Sequence, residues 1–343
     1  MSNIPTHYLN LAPTDLRVRR EDRYDGSGFS VNLSDLAAED MSLVIQVYQA
    51  VKRIYDLWLY MRDTINYDLL REQLSYFATP SFLSSAQTIG AATYTHRAPS
   101  DNLRKAIHDV RGGALASLIG YCHLIDRLPD QVDILRQAVY LARDHAKMMR
   151  NIIPDLDIPV RVADESTRVH GIGDFVDKWH GFIFEMEQKQ VRIETDAHFH
   201  GFITNRCLET SAVDRILYNY INNAARFAAT DKVRLTILPI NKGVIRWVVE
   251  NDINEQQRDW LKETLNLELN RLFEGGYTHG GHGVGLSSCV SLVAASFGLR
   301  QERQAIGEKY LGASLSDLTY YAWFHWPSYM PESDDEPMCT CED

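Results

Sequence analysis

Apolar residues recur at three- and four-residue steps from Ser34 to about Tyr76: Met41, Val44, Ile45, Val47, Val51, Ile54, Leu57, Trp58 and Met61. That period predicts an amphipathic helix, with Ser34 or Asp35 able to cap its start. Residues 77–99 carry Pro80, Gly90 and Pro99 and read as a connector holding a short helix. Ser100 caps a second helical region, Asp101 to about Arg127. After the turn Leu128-Pro129-Asp130, a third runs from Gln131 to about Ile153. Ile107, Val110, Ala114, Leu118, Tyr121 and Ile125 make a seam on one, and Leu135, Ala138, Ala142, His145, Met149 and Ile152 make a seam on the other. Two antiparallel helices, each about 38 Å long, form a hairpin. A lone hairpin leaves a flank uncovered, so pairing with a second copy into a four-helix bundle is expected.

Beyond Pro159 the pattern becomes mixed. Helices are expected over Val169–Glu187, Ser211–Ala229, about Glu255–Phe273 and Leu286–Phe297. Strands are expected at Gln190–Glu194, Val233–Leu238, Val244–Val249 and near Leu318–Trp326, with a hairpin around Asn241-Lys242-Gly243. Helices interleaved with antiparallel strands predict an α+β sandwich of one sheet and one helical layer. Residues 1–35 are polar and turn-rich, broken at Asp25-Gly26-Ser27-Gly28, and read as an irregular arm. The expected division is a helical N-terminal region over 1–98, the hairpin over 99–158, an α/β domain over 159–328 and an acidic tail over 329–343.

Composition narrows the class. Among 343 residues, 45% are apolar and 24% charged, which excludes a disordered or collagen-like chain. The net charge of −11 argues against nucleic acid as a partner. Six of those charges, Glu332, Asp334, Asp335, Glu336, Glu342 and Asp343, lie in the tail. No apolar run reaches the length of a membrane helix and no signal peptide is visible, so a cytoplasmic protein without a membrane span is expected. Cys122, Cys207, Cys289, Cys339 and Cys341 are odd in number and scattered, as in a reducing compartment; Cys339-Thr340-Cys341 lacks the further ligands of a zinc site.

Three stretches could carry chemistry. In Lys105-Ala-Ile-His108-Asp109-Val-Arg111-Gly112-Gly113, Ile107 and Val110 turn inward, so His108 projects toward solvent. Its imidazole is a nucleophile, and the adjacent carboxylate can orient it and take its proton. In Arg215-Ile-Leu-Tyr-Asn219-Tyr-Ile-Asn222-Asn223-Ala-Ala-Arg226-Phe227, Asn219 and Asn223 share a helix face. Amide oxygens there could ligate Mg²⁺ between phosphates, with Arg226 near phosphate. Gly275-Gly276-Tyr-Thr-His-Gly280-Gly281-His282-Gly283-Val-Gly285-Leu286 opens an apolar helix, where backbone N–H groups could meet a phosphate. It is neither a Walker nor a Rossmann loop, because no Lys-Ser/Thr follows and a third glycine is missing.

Taken in this order, the three stretches resemble those of the two-component sensor histidine kinases, over roughly residues 100–327. By that resemblance His108 is the phosphoacceptor and Asp109 its acid/base neighbour. Asn219 and Asn223 match the asparagine box that binds Mg²⁺-ATP, with Asn223 on the metal. Leu272-Phe273-Glu274 matches the phenylalanine box, and Gly281, Gly283, Gly285 and Leu286 match the second glycine box. The implied nucleotide domain has the Bergerat fold.

The sequence departs from the family at two places. The first glycine box, normally Asp-Asn-Gly-x-Gly, corresponds to Val249-Glu250-Asn251-Asp252-Ile253. Asn251 best fits an adenine contact, since it shares a strand face with Trp247 and Val249; Glu250 and Asp252 remain alternatives. Gly112 and Gly113 stand where the family often has Thr or Asn followed by Pro, so a kink is expected there. The resemblance implies a soluble homodimer that autophosphorylates His108 from Mg-ATP and passes the group to an aspartate on a response-regulator receiver domain. The alternative is a phosphotransfer or scaffold protein with weak or no ATP use. The signal, and the role of residues 1–98, are not legible in the sequence.

Overall fold

A computed structural model of the chain describes residues 4–19, 24–26, 30–61, 64–96, 98–128, 131–165, 169–186, 189–277 and 284–330. The chain divides into two compact units. One comprises residues 26–164 and 184–189, the other residues 1–25, 165–183 and 190–343.

The first unit is helical. Its main helices are α1 (Ala38–Tyr60), α2 (Tyr67–Ser75), α3 (Asp101–Arg111), α4 (Ala114–Arg127) and α5 (Val132–Ile152). The region expected as one helix from Asp101 is two, because Gly112 and Gly113 break it. Gly113 sits at φ +56°, ψ −126°, outside the helical region and open to glycine at little cost. The Gly112 N–H closes the last turn of α3 on the carbonyl of His108. Helices α4 and α5 pack as the expected hairpin, and every residue of both seams is buried. Helices α1, α2 and α3 of the same chain also pack against α5. Burial of that flank therefore does not by itself call for a second copy. At the start of α1, buried Asp40 accepts the Gly90 N–H at 2.8 Å and the Thr93 N–H at 2.6 Å, tying the connector to the helix.

The second unit is built on a mixed sheet. Five of its six strands, β1 (Lys189–Ala197), β2 (Lys232–Asn241), β3 (Val244–Asp252), β4 (Leu311–Ser316) and β5 (Thr319–Pro327), are neighbours in the order β1-β2-β3-β5-β4. Only the β1–β2 pair among these is parallel; the other pairs are antiparallel. Val169–Glu187 holds a shorter helix than expected, Ile172–Trp179, followed by a strand from Ile183. Strand β4 was not anticipated, because Leu311-Gly-Ala-Ser-Leu-Ser has only a weak apolar alternation. The long helix expected after Glu255 ends at Leu265, where Asn266 takes the left-handed conformation that terminates helices.

Helices α6 (Cys207–Phe227) and α8 (Gly285–Ser296) cover one face of the sheet, with α7 (Glu255–Leu265) peripheral. Trp247 stacks on Phe324 at 5.7 Å and meets Phe175 edge-on at 5.2 Å on that face. The opposite face is not open. Residues of the N-terminal segment lie on it, Tyr8 and Ala12 packing against Leu238, Val248 and Trp323. Strand β3 is thus buried on both faces, which explains why Val244–Val249 reads as a continuous apolar run broken only by Arg246. The architecture is α+β, as expected, with a third layer on the sheet.

Candidate functional site

The chemistry-bearing residues fall in both units. In the helical unit, His108 occupies the last turn of α3, its side chain 23% exposed. Its Nδ1 lies 3.1 Å from Oδ1 of Asp109, which is itself buried. A carboxylate at Nδ1 favours the tautomer with the proton on that nitrogen and leaves the Nε2 lone pair available. A buried carboxylate is also held in place, so the ring has one preferred orientation. Behind this pair His145 is fully buried, and neither of its ring nitrogens has a hydrogen-bond partner among the described residues. Burial pushes its pKa down to about 4, so it is neutral near pH 7. The heptad pattern placed His145 in the core without signalling that it lies in electrostatic range of Asp109.

In the sheet unit, Asn251 stands on the helix-facing side of β3 near its end. It is 3% exposed; its Nδ2 donates to the carbonyl of Asp252 at 3.3 Å, and its Oδ1 has no partner among the described residues. A buried acceptor without a donor is costly unless something supplies one. Its two neighbours lie on the other face. Glu250 accepts from the Tyr8 hydroxyl at 2.7 Å and from Arg234 at 3.1 Å. Asp252 is exposed, and its Oδ1 accepts from the Thr319 hydroxyl at 2.8 Å. Of the three residues open at this position, Asn251 is the one aimed at the helical layer.

Helix α6 packs against β3 and α8. Asn219 and Asn223 are half-buried on it. The Asn219 Nδ2 donates to the carbonyl of Arg215 at 2.9 Å, which turns its oxygen away from the helix backbone. The Asn223 side chain makes no hydrogen bond among the described residues. Arg226 is exposed in the last turn, its guanidinium 5.3 Å from the Phe227 ring. Gly285 and Leu286 form the first turn of α8, where free N–H groups accumulate. Gly281 and Gly283, like Cys339 and Cys341, lie outside the described residues. Phe273 is buried and its ring lies 6.1 Å from that of Tyr220 on α6.

The residues available fit a purine nucleotide with a hard cation. Asn251 offers an acceptor to an exocyclic amino group, and the amide oxygens of Asn219 and Asn223 suit Mg²⁺. No helix among the described residues is long and apolar enough to cross a membrane. No group of three or more His, Cys, Asp or Glu side chains suited to a metal ion occurs among them either.

No protein-family model and no curated protein matches the chain. Solved structures to which it is similar include histidine kinases. Full-length ShkA in complex with AMPPNP is 16% identical at a TM-score of 0.33, over 63% of this chain and 43% of that one. The histidine kinase domain of the Erythrobacter litoralis EL346 blue-light-activated kinase is 13% identical at 0.30, over 66% and 91%. The mycobacterial sensor histidine kinase MprB is 13% identical at 0.31, over 48% and 100%.

Proposed function

We propose that the chain is an ATP-dependent protein-histidine kinase that phosphorylates His108. The observation that carries this reading is the His108–Asp109 pair: a partly exposed imidazole whose Nδ1 is held by a buried carboxylate. The orphaned Asn251 oxygen in the other unit supports it independently. In the proposed step Nε2 of His108 attacks the γ-phosphorus of ATP. A P–N bond forms as the bond to the β,γ-bridging oxygen breaks, and ADP leaves. Asp109 keeps the Nδ1 proton in place and balances the positive charge that grows on the ring. Asn251 accepts from the adenine amino group, Arg226 serves the phosphates, and so does the glycine box of Gly281, Gly283, Gly285 and Leu286. Mg²⁺ would be held by Asn223, with Asn219 beside it, and would supply charge neutralisation to the phosphates. The protein's contribution to such a transfer is mainly positioning and electrostatic stabilisation.

The reading extends to a homodimer formed through the hairpin, a receiver-domain aspartate as the next phosphoryl acceptor, and a cytoplasmic setting. It divides the chain into a helical N-terminal region without an assigned role at 1–98, a phosphoacceptor hairpin at 99–158, a catalytic domain at 159–328 and an acidic tail at 329–343. Incubation with γ-labelled ATP tests it. Acid-labile label is expected on the wild type and not on His108→Ala, with Asp109→Asn slowed by roughly 10²-fold. Label that persists in His108→Ala refutes the assignment. His108 that is labelled only from a phosphorylated receiver domain, and never from ATP, identifies the chain as a phosphotransfer intermediary instead.

A further inference from the structure

The outer face of the sheet holds a layer that the phosphoryl step does not use. Arg246, Val248 and Glu250 alternate with Asn251 along β3 and so point to this face. Arg246 is fully buried. Its Nε–H donates to Nε2 of His325 at 2.9 Å. One terminal nitrogen donates to the carbonyls of Tyr8 and Leu9 at 2.6 and 3.0 Å, the other to those of Ala12 and Pro13 at 2.7 and 2.8 Å. All five guanidinium N–H groups are therefore engaged, four of them on residues 8–13. The segment continues along the same unit. Asn241 donates to the carbonyls of Thr14 and Leu16 at 3.2 and 3.1 Å, and the Tyr310 hydroxyl donates to that of Arg17 at 2.8 Å. The Arg19 N–H reaches the carbonyl of Phe297 at 2.8 Å, immediately past the end of α8. Residues 4–19 thus touch β3, which carries Asn251, and the residue that follows α8 at the end away from Gly285.

We propose that this N-terminal segment is a strap that positions the nucleotide site, with Tyr8, acting through Glu250, as a positioning residue for Asn251. The inference rests on the reading of Asn251 as the adenine contact. Strand ends fray unless side chains hold them. Asn251 is the penultimate residue of β3, and among the described residues its own side chain bonds only to the neighbouring carbonyl. The preceding residue, Glu250, is anchored from both sides, by Tyr8 on the strap and Arg234 on β2. Fixing the Glu250 carboxylate fixes the backbone that aims Asn251 at the opposite face. Hydrogen bonds weaken steeply with misalignment, so loosening this anchor lowers nucleotide affinity without touching the nucleotide.

Tyr8→Phe in the full-length chain tests this. It deletes one hydroxyl and leaves the ring packed against Tyr321 and the apolar layer. The Kd for a fluorescent ATP analogue is expected to rise about five- to tenfold, less than the full worth of a hydrogen bond to a charged group because the lost contact acts at one remove from the nucleotide. KM for ATP rises with kcat unchanged, and the melting temperature stays within a few degrees. Hydrogen exchange speeds up at residues 249–252. Glu250→Gln gives a loss of similar size, and the double variant is no worse than either alone, because both break one coupled contact. Wild-type affinity and exchange in Tyr8→Phe overturn the proposal. Should the wild-type chain bind no nucleotide, the kinase reading fails, and exchange alone judges the strap: acceleration confined to 249–252 supports it, and none overturns it.

Discussion

Arg246→Met isolates the contribution of a buried cation that has no carboxylate against it. Two effects oppose each other. Burial disfavours the guanidinium, lowering its pKa from 12.5 to about 10, so deleting the charge relieves about 3 kcal/mol at 1.36 kcal/mol per pKa unit. Against this, five hydrogen bonds from a charged donor disappear. Their acceptors, four carbonyls and His325 Nε2, are left in a dry layer at about 1–3 kcal/mol each. The loss exceeds the relief by about 5 kcal/mol if the strap stays in place. Release of the strap caps the penalty by letting water reach the carbonyls, at the expense of exposing Leu238, Val248 and Trp323. The net destabilisation is therefore about 3–5 kcal/mol, in line with breaking other buried charged networks. For a unit of this size each kcal/mol moves the midpoint by about 2–4 °C, so a drop near 10 °C is expected. Thermal unfolding followed by circular dichroism measures it, and limited proteolysis reports whether residues 4–19 become cleavable. Arg246→Lys should recover little, since three ammonium donors cannot serve five acceptors in fork geometry. A midpoint within about 3 °C of wild type for Arg246→Met would refute the reasoning.

Two further outcomes follow from the core. His145 and His325 are held neutral, with pKa values near 4 and 3, by burial and, for His325, by Arg246 alongside. The unfolded chain takes up protons below about pH 6.5 while the folded one does not, so stability falls as pH drops from 6.5 toward these values. At pH 5 each histidine accounts for on the order of 2 kcal/mol. Chemical denaturation at pH 7 and pH 5 measures this, and His145→Leu should remove its share of the acid sensitivity; equal stability at the two pH values contradicts the assignment. Gly90→Ala should destabilise the helical unit by roughly 2–4 kcal/mol. Gly90 has φ +93°, a Cβ there would meet Ile107 Cγ2 at 2.7 Å, and its N–H serves buried Asp40. A loss under 1 kcal/mol in urea titration would show that the connector relaxes freely.

Much of the fold was legible in the residues themselves. Hairpin seams from Ile107 to Ile125 and from Leu135 to Ile152 follow from a seven-residue apolar repeat, which no other element can satisfy. Strands β2 and β3, and the turn between them, follow from short apolar runs around Asn241-Lys242-Gly243. The site residues on α6 and at the start of α8 were likewise placed on helices by local pattern. The sequence favoured Asn251 with Glu250 and Asp252 as alternatives, because a period of two cannot say which face the helices cover. The partners of neighbouring strands decide that: Glu250 turns to Tyr8 and Arg234, so Asn251 turns to α6.

Local chemistry thus determined most of the helices, a bend at Gly112-Gly113 and the pairing of His108 with Asp109, since each depends on residues within a turn or two. Contacts across hundreds of residues were decided by the tertiary structure alone. Arg246 looks like a surface charge in a strand, and residues 4–19 look like an irregular arm. Each is explained only by the other, through a guanidinium whose five donors meet backbone carbonyls that carry no sequence signature.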